Sequence, residues 1–280
     1  MIAPDMAIGL GPQVQELLRK DTLYTTALQK LESIDIKSYA PSASGQGQQT
    51  DGQSEPEEGQ VIVLPVKGTM LKYGTLCTYG TDEIAHYVKH FAAKKEVAGI
   101  VLDIDSGGGA VSAVPPLLEA IQFTQENNKP IVAHCDTSCS AAYWTASATD
   151  QIFANNTISS VFGSIGVMLS YLDMVPYYEK QGAKYHEVYA ENSSDKNSAF
   201  QKLIKGDYEQ IITEDLNPLA EQFQEAVKAN RDGKLKIDHK GILTGATFPA
   251  NTAKEIGLID QMGTLTQAIN YVHANAWASL

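Results

Sequence analysis

The sequence predicts an α/β fold built on a mainly parallel β-sheet. Short apolar runs rich in Val and Ile recur along the chain, and stretches with apolar residues at helical spacing separate them. Because two parallel strands need a crossover connection, usually a helix, this alternation is typical of βαβ units. A chain of 280 residues, 43% of them hydrophobic, is long enough to bury a sizeable core around such a sheet.

Composition divides the chain into three predicted parts. Residues 1–38 contain one helical pattern and are predicted to form a small N-terminal helical appendage. Residues 39–59 lack any large aliphatic side chain and are rich in Gly, Ser, Gln, Pro and acidic residues, which predicts a flexible linker. Residues 60–276 carry the strand–helix alternation and are predicted to form the main domain.

The first half of the main domain predicts three buried strands with helices between them. The strands are the β-branched, apolar runs VIVLPV (61–66), VAGIVLDID (97–105) and KPIVAHC, which contains Ile131. Pro65 suggests that the first strand lies at a sheet edge or a bulge. The intervening helices are predicted in DEIAHYVKHFAA and AVSAVPPLLEAIQFTQ.

The second half predicts shorter elements. QIFAN and KYHEVYA are predicted as strands and VPYYEKQG as a helix, while residues 200–231 are mostly helical with a break at Pro218. Two glycines inside the apolar run ISSVFGSIGVMLSY predict a tight crossing of the backbone. The chain then continues through LTGATF and LIDQMG, with helices predicted in NTAKEIG and TLTQAINYVHA.

Charge and composition narrow the possible partners and the location. A net charge of −12 repels nucleic acid and anionic membranes, so neither is expected as a partner. No window approaches 18 apolar residues, and the N-terminus lacks a basic signal region, which predicts a cytoplasmic chain. The cysteines, Cys77, Cys135 and Cys139, have no metal-ligand spacing, and we expect reduced thiols, no metal and no cofactor.

A serine stands where the third strand gives way to a helix. IVAH reads as a buried strand, CDTSC is turn-like, and the sequence from Ser140 onward is compatible with a helix. The free N–H groups at such a helix start, especially that of Ala141, can stabilise an oxyanion. A simple helix N-cap also explains Ser140, because serine is favoured at that position without any chemistry.

The SGGG motif at residues 106–109 follows the second strand and opens a helix. Its glycines can turn backbone N–H groups toward a bound group, either as a phosphate cradle or as an oxyanion hole shared with Ala141. The Walker pattern is absent, and Ser112 stands where a GxGxxG motif would need its third glycine. A plain strand–helix turn remains a third interpretation.

Three segments in order resemble peptidase family S49, the signal peptide peptidase A family with its phage head-maturation relatives. DIDSGGGAVSA is similar to the family's SPGG turn, with Gly107 in place of proline, and SCSAAYWTASATDQIFANNTISSVFGSIGV is similar to its nucleophile block. TGATFPANTAKEIGLIDQMGTLTQAI is similar to its closing segment, so the resemblance runs from about Val61 to Val272. It implies a ClpP/crotonase-like superhelix of repeated βαβ units and a serine endopeptidase.

The resemblance also implies site residues. Ser140 becomes the nucleophile, and the N–H of Ala141 with that of Gly108 or Gly109 becomes the oxyanion hole. The family usually has Gly-Gly after the serine, where this chain has two alanines, so a β-carbon crowds the oxyanion approach slightly. Ser138 is a competing hydroxyl two residues earlier.

The general base is implied to be a lysine. The ClpP type of peptidase carries a histidine after the serine helix, and this chain has none there; its six histidines read as structural or solvated, namely His86, His90, His134, His186, His239 and His273. The S49 resemblance implies a Ser-Lys dyad, and SSDKNSAF places Lys196 at the expected position. Lys184, Lys202 and Lys205 compete for the same role.

The chemistry places a strong demand on that lysine. A base lysine needs its pKa brought from near 10.4 to roughly 7–8, which requires desolvation or a neighbouring cation. A lysine in a polar loop is hard to bury within one protomer. The resemblance implies homo-oligomers, closed ring-like assemblies in which the dyad is completed across subunit contacts.

Two other functions stay open at this stage. A crotonase-type acyl-CoA enzyme would share the fold and the oxyanion hole, but no basic cluster for the CoA phosphates is evident. An inactive scaffold or assembly subunit would also keep the fold, and the two alanines after Ser140 favour it. For a peptidase, the expected substrates are peptides or proteins: phage or prophage capsid proteins, processed in capsid assembly intermediates, or cytoplasmic peptides.

Overall fold

A computed structural model describes residues 34–40, 48–51, 56–75 and 79–276 of the chain. The chain forms two compact units. Among the described residues, the sheet unit comprises residues up to Gly166 together with those from Phe223 onward, and the insert unit comprises Val167–Gln222. Most of the predicted appendage at residues 1–38 lies outside the described residues.

The sheet unit is organised around a mainly parallel sheet. Its main path runs β2-β1-β3-β4-β5-β6-β9, with β7 paired to β5 and β8 paired to β7. Neighbours from β3 through β6 to β9 are parallel, whereas β1, β2 and β8 pair antiparallel. The mainly parallel α/β prediction is confirmed. The strands are β1 (Lys37–Ala40), β2 (Gln48–Asp51), β3 (Gln60–Lys67), β4 (Val97–Ser106), β5 (Ile131–Cys139), β6 (Gln151–Ala154), β7 (Val161–Gly163), β8 (Thr247–Pro249) and β9 (Gln261–Met262).

Helices connect these strands and fill the insert unit. They are α1 (Thr81–Ala92), α2 (Val114–Glu126), α3 (Ala141–Ser147), α4 (Val175–Lys180), α5 (Ser198–Leu203), α6 (Glu209–Ile211), α7 (Asn217–Asn230), α8 (Ala250–Glu255) and α9 (Leu265–Ala276). A 3₁₀ turn precedes α2 and a π-helical turn, Ile212–Leu216, precedes α7.

The sheet is buried on both faces. On one face, Ile100 and Leu102 of β4 pack with apolar residues of α1, α2 and α3 in the main core. On the other face, Val101 and Val132 pack against Ile269 and neighbouring residues of α9. Because both faces are covered, the central strands read as continuous apolar runs, as parallel sheets in α/β proteins do.

The prediction of a flexible linker at residues 39–59 does not hold where β1 and β2 pair. The two strands pair antiparallel from Lys37 with Asp51 to Ala40 with Gln48, and β1 also pairs with β3. The composition argument counts side chains that can enter a core. Strand pairing uses the backbone N–H and C=O groups that nearly every residue carries, so a polar stretch can still add to a sheet edge.

Three local predictions also need correction. The strand predicted at KYHEVYA does not form: residues 183–190 are in neither helix nor strand, and all are exposed. Pro65 lies in an interior strand, but β1 pairs with β3 only up to Val63, so that side is open at the proline. The break predicted at Pro218 is a change of helix type and not an interruption: the π-helical turn Ile212–Leu216 ends just before α7, and Pro218 lies in the first turn of α7.

Candidate active site

The backbone turns sharply at Ser140, between β5 and α3. Its φ and ψ are 53° and −126°, a combination that side chains rarely allow. Its N–H donates to the carbonyl of Gly163, with 2.9 Å between nitrogen and oxygen, and its own carbonyl accepts from the N–H of Trp144 at 2.9 Å. Such a strained backbone costs of order 1–3 kcal/mol, and it persists only where the surrounding structure holds it.

The hydroxyl of Ser140 does not behave as a helix cap. The residue occupies the N-cap position of α3, yet its side chain makes no capping hydrogen bond. The side chain is half-buried, whereas the competing hydroxyl of Ser138 is completely buried within β5. The N-cap interpretation requires the hydrogen bond that is missing here.

The SGGG turn, residues 106–109, is in direct contact with the elbow, the sharp backbone turn from Cys139 to Ala141. Gly108 is buried and has a φ of +101°. A β-carbon at Gly108 would lie 2.8 Å from the carbonyl oxygen of Cys139, 2.8 Å from the Cβ of Ser140 and 2.9 Å from the nitrogen of Ala141. The structure therefore brings together three predicted site residues, Gly108, Ser140 and Ala141.

Backbone hydrogen bonds fix the glycine turn to the segment around Met70. The N–H of Met70 donates to the carbonyl of Gly108 and the N–H of Ala110 donates to the carbonyl of Met70, both at 2.9 Å. The N–H of Gly108 donates to the Oγ of Ser106 at 3.1 Å. Gly109 is exposed, and its amide takes no part in these three bonds. Ser106 is the first residue of the SGGG motif, and sequence reasoning gave it no role of its own.

A further turn supports the elbow from the carboxyl end of β7. Gly163 has a φ of +113°, and a β-carbon there would lie 2.6 Å from the carbonyl oxygen of Ala246. The same carbonyl accepts from the N–H of Ser164 at 2.8 Å. Only glycine fits at position 163, because both the backbone conformation and the space exclude a side chain. The tight crossing predicted from the two glycines is confirmed at this residue.

Helix α3 is anchored along its length. The Tyr143 hydroxyl donates to the carbonyl of Leu258 at 2.8 Å, and the Trp144 ring stacks on Phe223 with 4.6 Å between centroids. Ala141 and Ala142 are buried in the main core. The two methyl groups that replace the family's usual glycines thus have a place in the packing.

Next to the nucleophile candidate, Cys139 is buried and its thiol lies 3.8 Å from the carbonyl oxygen of Val161. Burial raises the pKa of the Cys139 thiol to about 11. The thiol is therefore neutral near pH 7 and is a poor nucleophile, because the thiolate is the reactive form.

The four candidate lysines lie in the insert unit. Lys196 precedes α5, in a turn where its N–H donates to the carbonyl of Ser193 at 3.2 Å, and its side chain is exposed. Lys184, Lys202 and Lys205 are exposed as well. Ser140 belongs to the sheet unit.

His134 has a structural partner. Its Nδ1 lies 3.1 Å from Oδ1 of Asp103, whose other oxygen lies 2.6 Å from the Nζ of Lys67. Burial raises the pKa of Asp103, but the hydrogen bonds from His134 and Lys67 together outweigh it and lower the pKa overall. His134 is 5% exposed and is one of the buried residues of β5, as expected for a core histidine.

The described residues hold neither a cluster of metal ligands nor a membrane-spanning helix. No group of three or more His, Cys, Asp or Glu side chains within them could hold a metal ion. None of the helices formed by these residues combines the length and apolar character needed to cross a membrane.

Comparison with known proteins places this site in a family. The family model of peptidase family S49 matches residues 123–279, more than half of the chain. The head-tail preconnector protein GP5 of Enterobacteria phage P21 is 29% identical over 216 residues, which is 75% of this chain and 42% of that protein. The chloroplastic serine protease SPPA of Arabidopsis thaliana is 23% identical over 256 residues, which is 89% of this chain and 36% of that protein.

A second phage protein is similar as well. Capsid assembly protease C of Escherichia phage lambda is 27% identical over 229 residues, which is 78% of this chain and 51% of that protein. The chain thus spans about half or less of the length of these three relatives. The family match contains the whole elbow from β5 to β7 and the closing segment that supports it. The chain belongs to peptidase family S49.

Proposed function

We propose that this chain is a serine peptidase in which Ser140 is the nucleophile and Lys196 is the general base. The observation that supports it most directly is the elbow itself. Ser140 has a strained backbone at a strand-to-helix turn, its hydroxyl makes no capping bond, and Gly108 packs against it. Strained residues of this kind cluster at active sites, and nucleophilic serines at sharp strand-to-helix turns are a recurring arrangement.

The proposed oxyanion hole uses two backbone N–H groups. Ala141 is the first residue of α3, so its N–H has no partner within the helix. Gly109 is the second donor, because it is exposed and its amide stands outside the bonds that fix the turn. The N–H of Gly108 is already bonded to Ser106, and this residue contributes close packing instead. Removing one oxyanion donor typically costs about 10²–10³ in kcat.

The proposed reaction begins with the side-chain amine of Lys196 in its neutral form. Lys196 takes the proton of the Ser140 hydroxyl as the oxygen attacks the peptide carbonyl, and the two N–H groups stabilise the tetrahedral oxyanion. Lys196 then gives the proton to the leaving amine, and an acyl-enzyme ester forms at Ser140. Water, deprotonated by the same amine, attacks this ester and releases the acid product and the free serine.

The proposed base needs a drier environment than one chain gives it. Lysine is a base near neutral pH only when burial or a nearby cation lowers its pKa by several units. The side chain of Lys196 is exposed in the single chain. The proposal therefore requires that assembly covers this part of the insert unit.

The surface of the insert unit supports such assembly. Within residues 167–222, the buried apolar side chains are those of Leu203 and Ile211. Twelve large apolar side chains of the same range are exposed, and Val188 reaches 93%. They are Met168, Leu169, Leu172, Val175, Tyr177, Tyr178, Tyr185, Val188, Tyr189, Ile204, Tyr208 and Ile212.

An exposed apolar surface of this size fits a second copy of the chain. The twelve side chains expose on the order of 1,000 Å², which is similar to the ~800 Å² that each partner contributes to a stable interface. Burial of this surface in a homo-oligomer would desolvate the region that contains Lys196. We propose that the peptidase is active as a homo-oligomer.

The names of the relatives favour a class of substrate. Two of them are a phage head-tail preconnector protein and a phage capsid assembly protease. We propose that the substrates are proteins of a phage or prophage capsid, processed during assembly. Cytoplasmic peptides remain the alternative, and the cleavage products distinguish the two.

The nucleophile and the base are tested together by substitution. Ser140→Ala should reduce peptide cleavage by at least about 10³-fold, and Lys196→Ala should do the same, while both proteins stay folded. Ser138→Ala and Lys202→Ala are matched controls and should retain activity. The measurement is a mass-spectrometry survey of new N-termini in capsid proteins and a peptide library, wild type against each variant.

The outcomes separate the alternatives. Full cleavage by Ser140→Ala would exclude the nucleophile, and full cleavage by Lys196→Ala with loss in Lys184→Ala, Lys202→Ala or Lys205→Ala would reassign the base. If the wild type cleaves nothing and coenzyme A raises its melting temperature, a crotonase-type enzyme replaces the peptidase. If neither occurs, the chain is an assembly subunit that keeps the fold.

Complementation tests whether the dyad forms between protomers. A mixture of Ser140→Ala and Lys196→Ala chains, unfolded and refolded together, should regain activity if one chain supplies the serine and the other the lysine. Random mixing would then restore about one quarter of the wild-type sites. A dilute, monomeric wild type with full activity would contradict the requirement for assembly.

A further inference from the structure

We propose that Ser106 is a positioning residue, whose hydroxyl sets the glycine turn so that the N–H of Gly109 faces the reacting carbonyl. This inference rests on the proposed function and names a residue outside the dyad and the oxyanion hole. Ser106 is the last residue of β4, and it is 2% exposed. Its side chain is thus a buried hydroxyl at the base of the turn.

Both hydrogen-bonding capacities of the hydroxyl are in use. The Oγ of Ser106 donates to the carbonyl of Gly68 at 2.5 Å and accepts from the N–H of Gly108 at 3.1 Å. Gly68 in turn donates its N–H to the carbonyl of Asp105 at 2.9 Å. One side chain therefore joins the end of β3, through Gly68, to the glycine turn that follows β4.

The hydrogen bond from the N–H of Gly108 to Ser106 determines which amide of the turn is free to bind the oxyanion. A peptide N–H that donates to Ser106 cannot also point at a substrate. In a sharp turn, fixing the amide of Gly108 restricts the orientation of the next peptide unit, which carries the N–H of Gly109. The carbonyl of Gly108, which belongs to that same peptide unit, is held by the N–H of Met70 at 2.9 Å.

Gly108 also lies directly against Ser140, the proposed nucleophile. Its Cα is packed so closely against the elbow that a β-carbon would lie within 3.0 Å of Ser140 Cβ and Ala141 nitrogen. Loss of the Ser106 hydroxyl would leave the buried N–H of Gly108 without its partner and would release the carbonyl of Gly68, an exposed residue, from the turn. The turn would then shift, and the oxyanion donors would move relative to the Ser140 hydroxyl.

The effect should fall on the chemical step. Ser106 is buried and does not touch the substrate in this proposal, so substrate binding is largely preserved. Geometry at the oxyanion matters only as charge develops in the transition state. We expect Ser106→Ala to lower kcat about 10- to 100-fold with a change in KM of less than about threefold.

The experiment compares four variants at a temperature where each is folded by circular dichroism. Ser106→Ala removes the hydroxyl, Ser106→Thr retains it, and Ser106→Cys keeps its shape with a weaker donor and acceptor. Thr124→Ala is the matched control, because Thr124 is a fully buried hydroxyl that donates to the carbonyl of Ala120 at 2.8 Å, near the far end of α2. For each variant, kcat, KM and the affinity for a peptide aldehyde, which mimics the tetrahedral intermediate, are measured.

The expected result is a fall in kcat and a parallel fall in aldehyde affinity for Ser106→Ala, a smaller fall for Ser106→Cys, and recovery in Ser106→Thr. Thr124→Ala should lose stability without losing kcat. Wild-type kcat in Ser106→Ala, or in Ser106→Cys if the alanine variant does not fold, would overturn the role of Ser106. Absence of any Ser140-dependent cleavage in the wild type would instead overturn the proposed function itself.

Discussion

A methyl group at Gly108 tests the contact between the glycine turn and the elbow. In Gly108→Ala the new β-carbon would lie 2.8 Å from two atoms, Cys139 O and Ser140 Cβ, and 2.9 Å from the nitrogen of Ala141. Two of these are rigid backbone atoms. Overpacking of this kind costs about 1–3 kcal/mol, and an alanine at a φ of +101° adds about 1–2 kcal/mol.

Part of that cost is offset in the unfolded chain. Replacing glycine by alanine stabilises by roughly 0.4–1 kcal/mol through the loss of unfolded conformations. The expected net loss is therefore about 1–5 kcal/mol of unfolding free energy. To relieve the contacts, the backbone at Ser140 must move by several tenths of an ångström, which displaces the proposed nucleophile and the proposed oxyanion donor, the N–H of Ala141. We expect cleavage to fall about 10²-fold or more.

Gly107→Ala is the matched control one residue away. Gly107 is exposed, and a β-carbon there would have no heavy atom within 4 Å. Its stability should change by less than about 0.5 kcal/mol, and cleavage should be unaffected. Urea unfolding gives the free energies, and cleavage of a fluorogenic peptide gives the rates. If Gly108→Ala were as stable and as active as Gly107→Ala, the close contact between the turn and the elbow would be wrong.

Three further predictions concern the rest of the sheet unit. Arg231 is 1% exposed and pairs with Asp260, so the substitution Arg231→Met removes the buried partner of this carboxylate and should lower the free energy of unfolding by about 3–5 kcal/mol. Lys234 contacts the same carboxylate from the exposed side, so Lys234→Ala should lower it by about 1 kcal/mol or less; urea unfolding measures both. The pKa of Asp103 is lowered in the folded state, so the ionised carboxylate contributes to stability above its unfolded pKa near 3.9, and this contribution is lost as the pH falls through the folded pKa. The melting temperature of Asp103→Asn should therefore vary less below about pH 4 than that of the wild type. Since the pKa of the Cys139 thiol is about 11, iodoacetamide at pH 8 should label it far more slowly in the folded than in the urea-unfolded chain, as measured by peptide mass spectrometry, and equal rates would contradict its burial.

Sequence periodicity predicted the sheet well, because burial dictates the pattern there. The runs around Ile62, Leu102 and Ala133 are apolar on both faces, and the structure covers both faces of each strand. Where burial is absent, the same reasoning fails. The alternating segment KYHEVYA is exposed along its whole length and forms no strand, and the polar residues of β2 form one that composition did not indicate.

The end of β5 shows a different limit. CDTSC looks turn-like from its polar residues, yet the strand continues through Cys139, since β7 pairs with residues 137–139 in parallel. That pairing depends on a segment some twenty residues further along the chain. The sequence next to β5 therefore gives no sign of this pairing. The positive φ of Ser140 is equally absent from the local sequence pattern, and the N–H of this residue also bonds to that later segment, at the carbonyl of Gly163.

The three segments that resemble the family all contact Ser140 or the residues and the helix next to it. The first reaches the elbow through Gly108, and the second contains both Ser140 and its hydrogen-bond partner Gly163. The third accepts the N–H of Ser164, next to Gly163, at the carbonyl of Ala246, and it accepts the Tyr143 hydroxyl of α3 at the carbonyl of Leu258. Each segment thus supplies a contact to Ser140, to a residue next to it or to the helix that it opens.

This convergence explains why the proposed nucleophile and the proposed base were not equally accessible to sequence reasoning. Ser140 is held by contacts that leave glycines and fixed spacings in the sequence, and the family resemblance rests on those segments. Lys196 lies in an exposed turn of the insert unit, where nothing in the single chain restricts the choice among neighbouring lysines. In the proposed oligomer a second protomer would supply that restriction, so complementation of Ser140→Ala by Lys196→Ala measures directly whether the lysine acts across subunits.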